Sequence, residues 1–384
     1  MRPCLASSML KTRGEFLRDG IMAGCGLAVS GCLSSSRRAA PCLTGDLAWG
    51  ILLHLSTNMW GDWTPDGVYP KSLEDELRMI REGKLTFDCS RNCYRDYFST
   101  DWDCWRDETE CARRAGLNMV LIDLGNAYRF PSHPELGVNG SLDEAALRRE
   151  LARIRGLGLE PVPKLNFSAG HDQWLREYHC MTSSRKYYEV VSDLIRDVCE
   201  AFDYPRYFHL GFDEEIYAAC GGRRHCVMRT GSAWWKDLKF AVTEAERQGA
   251  QAMVWSDKIC TGRVEFFRNM PKSVLQVPWY YGNDFSAANL TWKPELERDT
   301  GWDSHKNLAA ALVELSSRGY DIMPCTSNWS TDDAAEKMLK FCRANLDPSR
   351  VKGYLTTSWL RSSPEDHHRV CDAIRLLGDA KSDV

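Results

Sequence analysis

Between residues 47 and 378, short apolar runs alternate with longer stretches whose apolar residues recur every three or four positions. The short runs are Trp49 to Leu55, Met119 to Leu124, Pro161 to Phe167, Tyr207 to Gly211, Ala252 to Trp255, Val274 to Val277, Asp321 to Cys325, and Gly353 to Thr357. Runs this short, set between segments of helical period, read as buried strands of a parallel sheet joined by helices. Eight of them with intervening helices, over roughly 330 residues, predict an α/β fold, the (β/α)8 TIM barrel. Among the helical segments, Ser141 with Glu144 makes a capping box ahead of Leu147, Leu151 and Ile154, and Gly156 can end that helix. Tyr187, Val190, Val191, Leu194, Ile195 and Val198 form a core-facing stripe. Leu308, Ala311, Leu312 and Leu315 repeat it before Gly319, and Met338, Leu339 and Phe341 before the last strand. Residues 58–108 break the rhythm. Polar, cysteine-rich and irregular, they predict an insertion or small lid after strand one.

A barrel brings the carboxyl ends of its strands to one face, so residues remote in sequence converge there. Trp60 follows strand one, Asp123 ends strand two, His171 follows strand three, and Asp213 and Glu214 end strand four. Trp255 with Asp257 ends strand five, Trp279, Tyr280 and Tyr281 follow strand six, Asn328 and Trp329 strand seven, and Trp359 and Arg361 strand eight. The segment from Tyr207 to Glu215 is the most telling, because an apolar strand ends there in three consecutive carboxylates with no Lys or Arg between Arg206 and Arg223. Crowded, desolvated carboxylates raise one another's pKa, which is what a general acid needs near neutral pH. A solvated acidic loop is the plainer reading, and Glu215 reads as a surface or helix N-terminal acid. Carboxylates among aromatic walls suit a sugar, whose C–H face stacks on indoles while its hydroxyls need polar partners. A phosphate would instead call for a Gly-rich cradle or convergent cations.

With 384 residues, 43% hydrophobic residues and a formal charge of −4, the chain can bury a large core and carries no global bias toward nucleic acid. Lys11, Arg13 and Arg18 precede a short apolar core from Ile21 to Ala28, and Val29-Ser30-Gly31-Cys32 resembles a bacterial lipobox. That resemblance implies an export signal over 1–31, acylation of Cys32, a tether over 32–46, and a periplasmic or cell-surface lipoprotein. The stretch from Thr12 to Arg18 is also similar to a twin-arginine signal, with Gly14 where the second arginine belongs. Of 16 cysteines, 13 remain once Cys4, Cys25 and Cys32 are set aside. Local disulfides are expected among Cys89, Cys93, Cys104 and Cys111, and between Cys220 and Cys226. Zinc at Cys89 and Cys93 is the rival reading, although no CxxC or HExxH motif occurs, and no cofactor or metal is expected.

His209-Leu210-Gly211-Phe212-Asp213-Glu214 resembles the His-x-Gly-Gly-Asp-Glu motif of glycoside hydrolase family 20, the β-N-acetylhexosaminidases, with Phe212 replacing the second glycine. Pro163 through His171 is similar to the family's Pro-Glu-x-Asp-x-Pro-Gly-His, keeping Gly170-His171 but carrying Lys164 and Asn166 in place of the acids and one extra residue. Asn118 through Arg129, with Asp123, resembles the strand-two region, and Met253 through Asp257 the strand-five Trp segment. The resemblance implies exo-acting, retaining hydrolysis of terminal N-acetylhexosamine, the substrate's acetamido group acting as nucleophile. Glu214 would be the general acid, and Asp213 would orient the acetamido nitrogen and stabilise the oxazolinium charge. Trp255, Trp279 and Trp359 would wall the acetamido pocket, with His171, Asp123, Arg129, Asp257, Tyr281 and Trp329 as further substrate contacts. Adjacent carboxylates fit this scheme, since neighbours cannot flank opposite faces of one ring as a retaining pair about 5 Å apart must.

Two departures bear on the substrate. His54-Leu55-Ser56-Thr57-Asn58 stands where the family carries a sugar-binding arginine, and Thr357-Ser358-Trp359-Leu360-Arg361 lacks the acid of its Trp-x-Glu. Three alternatives stay open: an exo-glycosidase using Asp257 or another distant carboxylate as nucleophile, a surface lipoprotein that binds glycans without cleaving them, and a structural protein built around its cysteines. For single residues, His171 as a helix cap, His54 as barrel filling and Trp329 as core are the plain readings. The partner in either glycan reading is an oligosaccharide or glycoconjugate.

Overall fold

The computed structural model describes residues 47–85, 93–299 and 301–383. The leader, Cys32, the tether up to residue 46 and Cys89 lie outside the described residues. Eight parallel strands run β1 (Ala48–His54), β2 (Met119–Asp123), β3 (Glu160–Lys164), β4 (Tyr207–His209), β5 (Gln251–Trp255), β6 (Leu275–Val277), β7 (Cys325–Ser327) and β8 (Gly353–Thr357). They pair in the order β6-β5-β4-β3-β2-β1-β8-β7, and single bridges Gln276–Ile322 and Trp279–Cys325 bring β6 against the β7 segment. The fold is a (β/α)8 TIM barrel.

The helices are α1 (Leu73–Arg81), α2 (Trp102–Arg114), α3 (Glu144–Gly156), α4 (Arg185–Ala201), α5 (Tyr217–Cys220), α6 (Ser232–Arg247), α7 (Arg263–Asn269), α8 (Ala287–Leu290), α9 (Leu308–Ser317), α10 (Ala334–Asn345) and α11 (His367–Ser382). The predicted stripes on α4, α9 and α10 are buried against the outer face of the barrel. Strand side chains pointing inward, among them Leu52, Leu121, Val162, Met253, Leu275 and Leu355, form a second apolar cluster filling the barrel. No helix among the described residues is long and apolar enough to cross a membrane.

Three details differ from the sequence reading. The cap of α3 is Asp143, which accepts from the Ala146 N–H at 2.7 Å, while Ser141 is buried upstream. Strand seven starts at Cys325 rather than Asp321, because Pro324 has no N–H for the ladder and Ile322 is left in single bridges. The irregular stretch after β1 ends sooner than residue 108: Asp101 accepts from the Asp103 and Cys104 N–H groups, and Trp102 onward is barrel helix α2. Within that stretch, Arg95 is fully buried and pairs in bidentate fashion with Glu76 at 2.7 and 2.8 Å.

Candidate active site

The exit of β4 builds the site. Gly211, Phe212 and Glu214 hold φ of +75°, +66° and +50°, so the chain leaves the sheet in a run of left-handed turns. A Cβ at position 211 would lie 2.0 Å from Asn166 Oδ1, so glycine is what lets the ends of β3 and β4 touch. Phe212 bears a left-handed backbone that costs a residue with a Cβ roughly 1–2 kcal/mol. Its buried ring packs on Trp234 with centroids 5.5 Å apart, under the Arg229 guanidinium at 5.2 Å.

This turn sets Asp213 and Glu214 side by side around one imidazole. His171 Nδ1 lies 3.5 Å from Asp213 Oδ2, and its Nε2 lies 3.5 Å from Glu214 Oε2. Asn166, in the place of the motif's second acid, donates through Nδ2 to Asp213 Oδ1 at 2.8 Å. Glu214 in turn donates its backbone N–H to Asp257 Oδ2 at 2.8 Å, and Trp279 Nε1 lies 3.4 Å from Asp257 Oδ1.

The three acids are pushed apart in protonation. Burial works to raise Asp213, but His171 by charge and hydrogen bond, then Lys164 and Asn166, outweigh it and hold the carboxyl well below the usual range. Glu214 is raised well above its ordinary value by burial, then by repulsion from Asp213 and Asp257. Asp257 is pushed up to about 7 by burial and then Asp213, against the stabilising N–H of Glu214. One anion therefore stands beside one protonated acid at neutral pH, the division that acid catalysis beside a charge-stabilising group requires.

Glu215 corrects the surface-acid expectation. It is buried, accepts from Arg229 Nε at 2.9 Å and Nη2 at 2.6 Å, and takes the Ala169 N–H at 3.3 Å. Arg229 also reaches Asp237 at 3.2 Å and the Phe167 carbonyl at 2.6 Å, tying β4's exit to β3's and to α6. The sequence offered no sign of it, because Arg229 lies fourteen positions downstream of its partner in an irregular loop.

Aromatic side chains wall the carboxylates. The Trp359 ring, on a residue with φ of +57°, lies 5.7 Å from Trp255, 6.1 Å from Trp60 and 6.2 Å from Tyr281. Trp279 stacks on Tyr281 at 4.9 Å and meets His305 edge-on at 5.0 Å. His305 escaped sequence reasoning, since nothing near it marks a site; burial lowers its pKa to about 4, and Asp213 is near enough to act on it.

Other candidates are placed differently. Asp123 is 1% exposed, bonded to Lys164 Nζ at 2.5 Å and 3.3 Å from His54 Nδ1. It ends β2 level with the last residues of β1 and β3, and its acceptor capacity is taken up by His54 and Lys164 there. His54 is buried there as barrel filling, its ring 5.0 Å from that of Trp60, and the pKa of buried His209 on β4 is lowered to about 3 by burial and then Lys164. Arg129 is exposed, its backbone N–H bonded to the Leu142 carbonyl, and Trp329 is half exposed rather than core. Arg361 lines a different cavity, of about 460 Å³, together with Glu76, Tyr97 and Phe98. Cys220 and Cys226 are neighbouring free thiols rather than a disulfide, and Cys226 Sγ donates to the Ala169 carbonyl at 3.2 Å.

No protein-family model matches the sequence, and no curated protein does. Solved structures do match. The β-N-acetylhexosaminidase from Bacteroides fragilis NCTC 9343 superposes with a TM-score of 0.55 at 12% identity, over 86% of this chain and 65% of its own. The fold is shared. The chitobiase of Flavobacterium johnsoniae gives a TM-score of 0.51 at 17% identity, covering 72% of this chain and 46% of its own. A family 20 exo-β-N-acetylglucosaminidase from Vibrio harveyi, solved with N-acetylglucosamine, gives 0.52 at 12% identity, covering 88% and 56%. This chain therefore spans between about half and two thirds of the length of these enzymes.

Proposed function

We propose that this chain is a glycoside hydrolase of the family 20 type, removing terminal N-acetylhexosamine from oligosaccharides or glycoconjugates by substrate-assisted, retaining catalysis. The observation that carries the reading is the pair Asp213 and Glu214, adjacent in the chain, split in protonation and bridged by His171. Glu214, held protonated, delivers its proton to the departing glycosidic oxygen and then takes one from water. Asp213, held ionised, receives the acetamido N–H and steadies positive charge as the acetamido oxygen attacks the anomeric carbon. Trp255, Trp279 and Trp359 supply flat faces, and Tyr281 donates to the acetamido carbonyl, a role supported by its lying within the field of both carboxylates.

The conventional-nucleophile reading is weakened by one observation. Asp257 is buried, engaged by the Glu214 N–H and pushed up to about 7, a poor state for attack on an anomeric carbon. Release of nitrophenol from aryl N-acetylglucosaminide, N-acetylgalactosaminide, glucoside and galactoside tests the assignment. Hydrolysis confined to the N-acetyl sugars and lost in Glu214→Gln is expected. Activity only on sugars without the acetamido group would overturn the mechanism, and silence with measurable glycan binding would favour a non-catalytic receptor.

We further propose that the domain is exported and anchored through an acylated Cys32, a reading supported by the lipobox-like Val29 to Cys32. Labelled palmitate should enter the wild-type chain and not Cys32→Ala.

A further inference from the structure

On the outside of the barrel, helices α2 and α11 pack against each other and present matched pairs of side chains. Asp107 and Cys111 are four residues apart on α2, and His367 and Cys371 four apart on α11, so each pair shares one helix face. Ligand atoms of Asp107, His367 and Cys371 all lie within 4.8 Å of one another. His367 Nε2 is 3.0 Å from Asp107 Oδ2 and 3.7 Å from Cys371 Sγ. The Cys111 thiol is in hydrogen-bond contact with that of Cys371, and its Sγ lies 4.0 Å from the Cys371 carbonyl oxygen. Metal–ligand bonds of about 2.0–2.3 Å separate neighbouring donors of a tetrahedral zinc site by roughly 3.3–3.8 Å, a spacing that Asp107, His367 and Cys371 already approach, while Cys111 lies outside that trio and completes the set by turning its thiol in from beside Cys371.

The surroundings are those of a supported ligand set. His367 Nδ1 is 3.2 Å from Glu108 Oε1, a fully buried carboxylate that also accepts from Ser362 Oγ at 2.5 Å. With Nδ1–H donated to Glu108, the lone pair of Nε2 faces Asp107 Oδ2 and Cys371 Sγ, the carboxylate–histidine arrangement found behind metal ligands. Arg114 Nη2 holds Asp107 Oδ1 at 3.1 Å, leaving Oδ2 toward the cluster and placing a cation beside a thiolate-rich site.

We propose that Asp107, Cys111, His367 and Cys371 bind one zinc ion, clasping α2 to α11. Binding displaces the two thiol protons to solvent and involves no change of oxidation state. Its position on the outer helices makes the clasp structural, independent of what sugar the barrel mouth accepts.

The test uses the full-length chain, purified with its thiols kept reduced and dialysed against zinc. One zinc per chain by atomic emission is expected, with thiolate-to-metal charge-transfer absorption when cobalt replaces it. Chelation should lower the thermal midpoint, and zinc should restore it, a reading on unmutated protein that no folding failure can mimic. Stoichiometry should fall to zero in Cys111→Ser/Cys371→Ser, and Glu108→Gln should weaken affinity about 10–100-fold. No bound zinc in the reduced protein would overturn the proposal. So would zinc retained by the double variant, or a Cys111–Cys371 disulfide found by peptide mapping of exported protein that carries no metal.

Discussion

Removing the side chain of Arg229 tests whether the third acid of the β4 exit is structural. Arg229→Met keeps most of the volume and deletes the donors that reach Glu215 at 2.9 and 2.6 Å, Asp237 at 3.2 Å and the Phe167 carbonyl at 2.6 Å. Asp237 keeps donors from Ser183 at 2.8 Å and Tyr188 at 2.5 Å, so Glu215, left with two backbone N–H groups, that of Ala169 at 3.3 Å and that of residue 229, is the group that loses its cation. Both partners of the Arg229–Glu215 pair have side chains no more than 2% exposed, so solvent cannot replace the lost cation. Leaving one member of such a pair buried costs roughly 3–5 kcal/mol. Replacing both, in Arg229→Met/Glu215→Gln, should recover roughly 0.5–3 kcal/mol of that as coupling. Urea unfolding followed by tryptophan fluorescence measures Arg229→Met, Glu215→Gln and the double variant. A loss below about 1 kcal/mol in Arg229→Met, within the range of an exposed ion pair, or strict additivity in the double variant, would refute the buried-pair reasoning.

Three further outcomes are expected. Activity should fall as pH rises through the raised pKa of Glu214 and, at the acid end, as Asp213 becomes protonated below the usual carboxylate range. Since the Asp257 charge helps hold the proton on Glu214, the rate profile of Asp257→Asn should show its basic limb displaced to lower pH; an unmoved limb would contradict that coupling. Phe212→Gly should be more stable than Phe212→Ala by roughly 0.5–1 kcal/mol in urea melts, because relief of a left-handed penalty of about 1–2 kcal/mol exceeds the chain-entropy loss of about 0.4–1. Gly211→Ala would drive its Cβ into Asn166, 2.0 Å away, and displace the Asn166 contact with Asp213. Misplacement on the ångström scale costs on the order of 100-fold in rate, and a kcat near wild type would count against the role given to Asn166.

The barrel was legible because parallel strands are buried on both faces, so each of the eight runs stands out from the amphipathic helices between them. Strand seven slipped because Pro324 interrupts the ladder inside an otherwise apolar run. The carboxylate pair was legible for an electrostatic reason: uncompensated acids after an apolar strand have few structural uses. What escaped was pairing between distant side chains. Arg229 on Glu215 and His305 against Trp279 are set by loop geometry, and Lys164 on Asp123 by the register of two adjacent strand ends, none of which leaves a periodic trace. The misreading of Glu215 has the same origin, since its partner is invisible to any local window. Asp107, Cys111, His367 and Cys371 show the converse case, in which two ordinary helical spacings come together only once α2 and α11 meet.

The enclosure of the carboxylates also bears on ionic strength. Dissolved salt weakens interactions through the solvent, over a Debye length of about 8 Å at physiological concentration, and acts far less on charges sealed behind protein. Asp213, Asp257, Lys164 and His171 are all buried, so the contacts that divide protons between Asp213 and Glu214 run through the interior of the barrel mouth. The division of labour between the two acids is therefore a property of the fold, and it travels unchanged between dilute and saline surroundings.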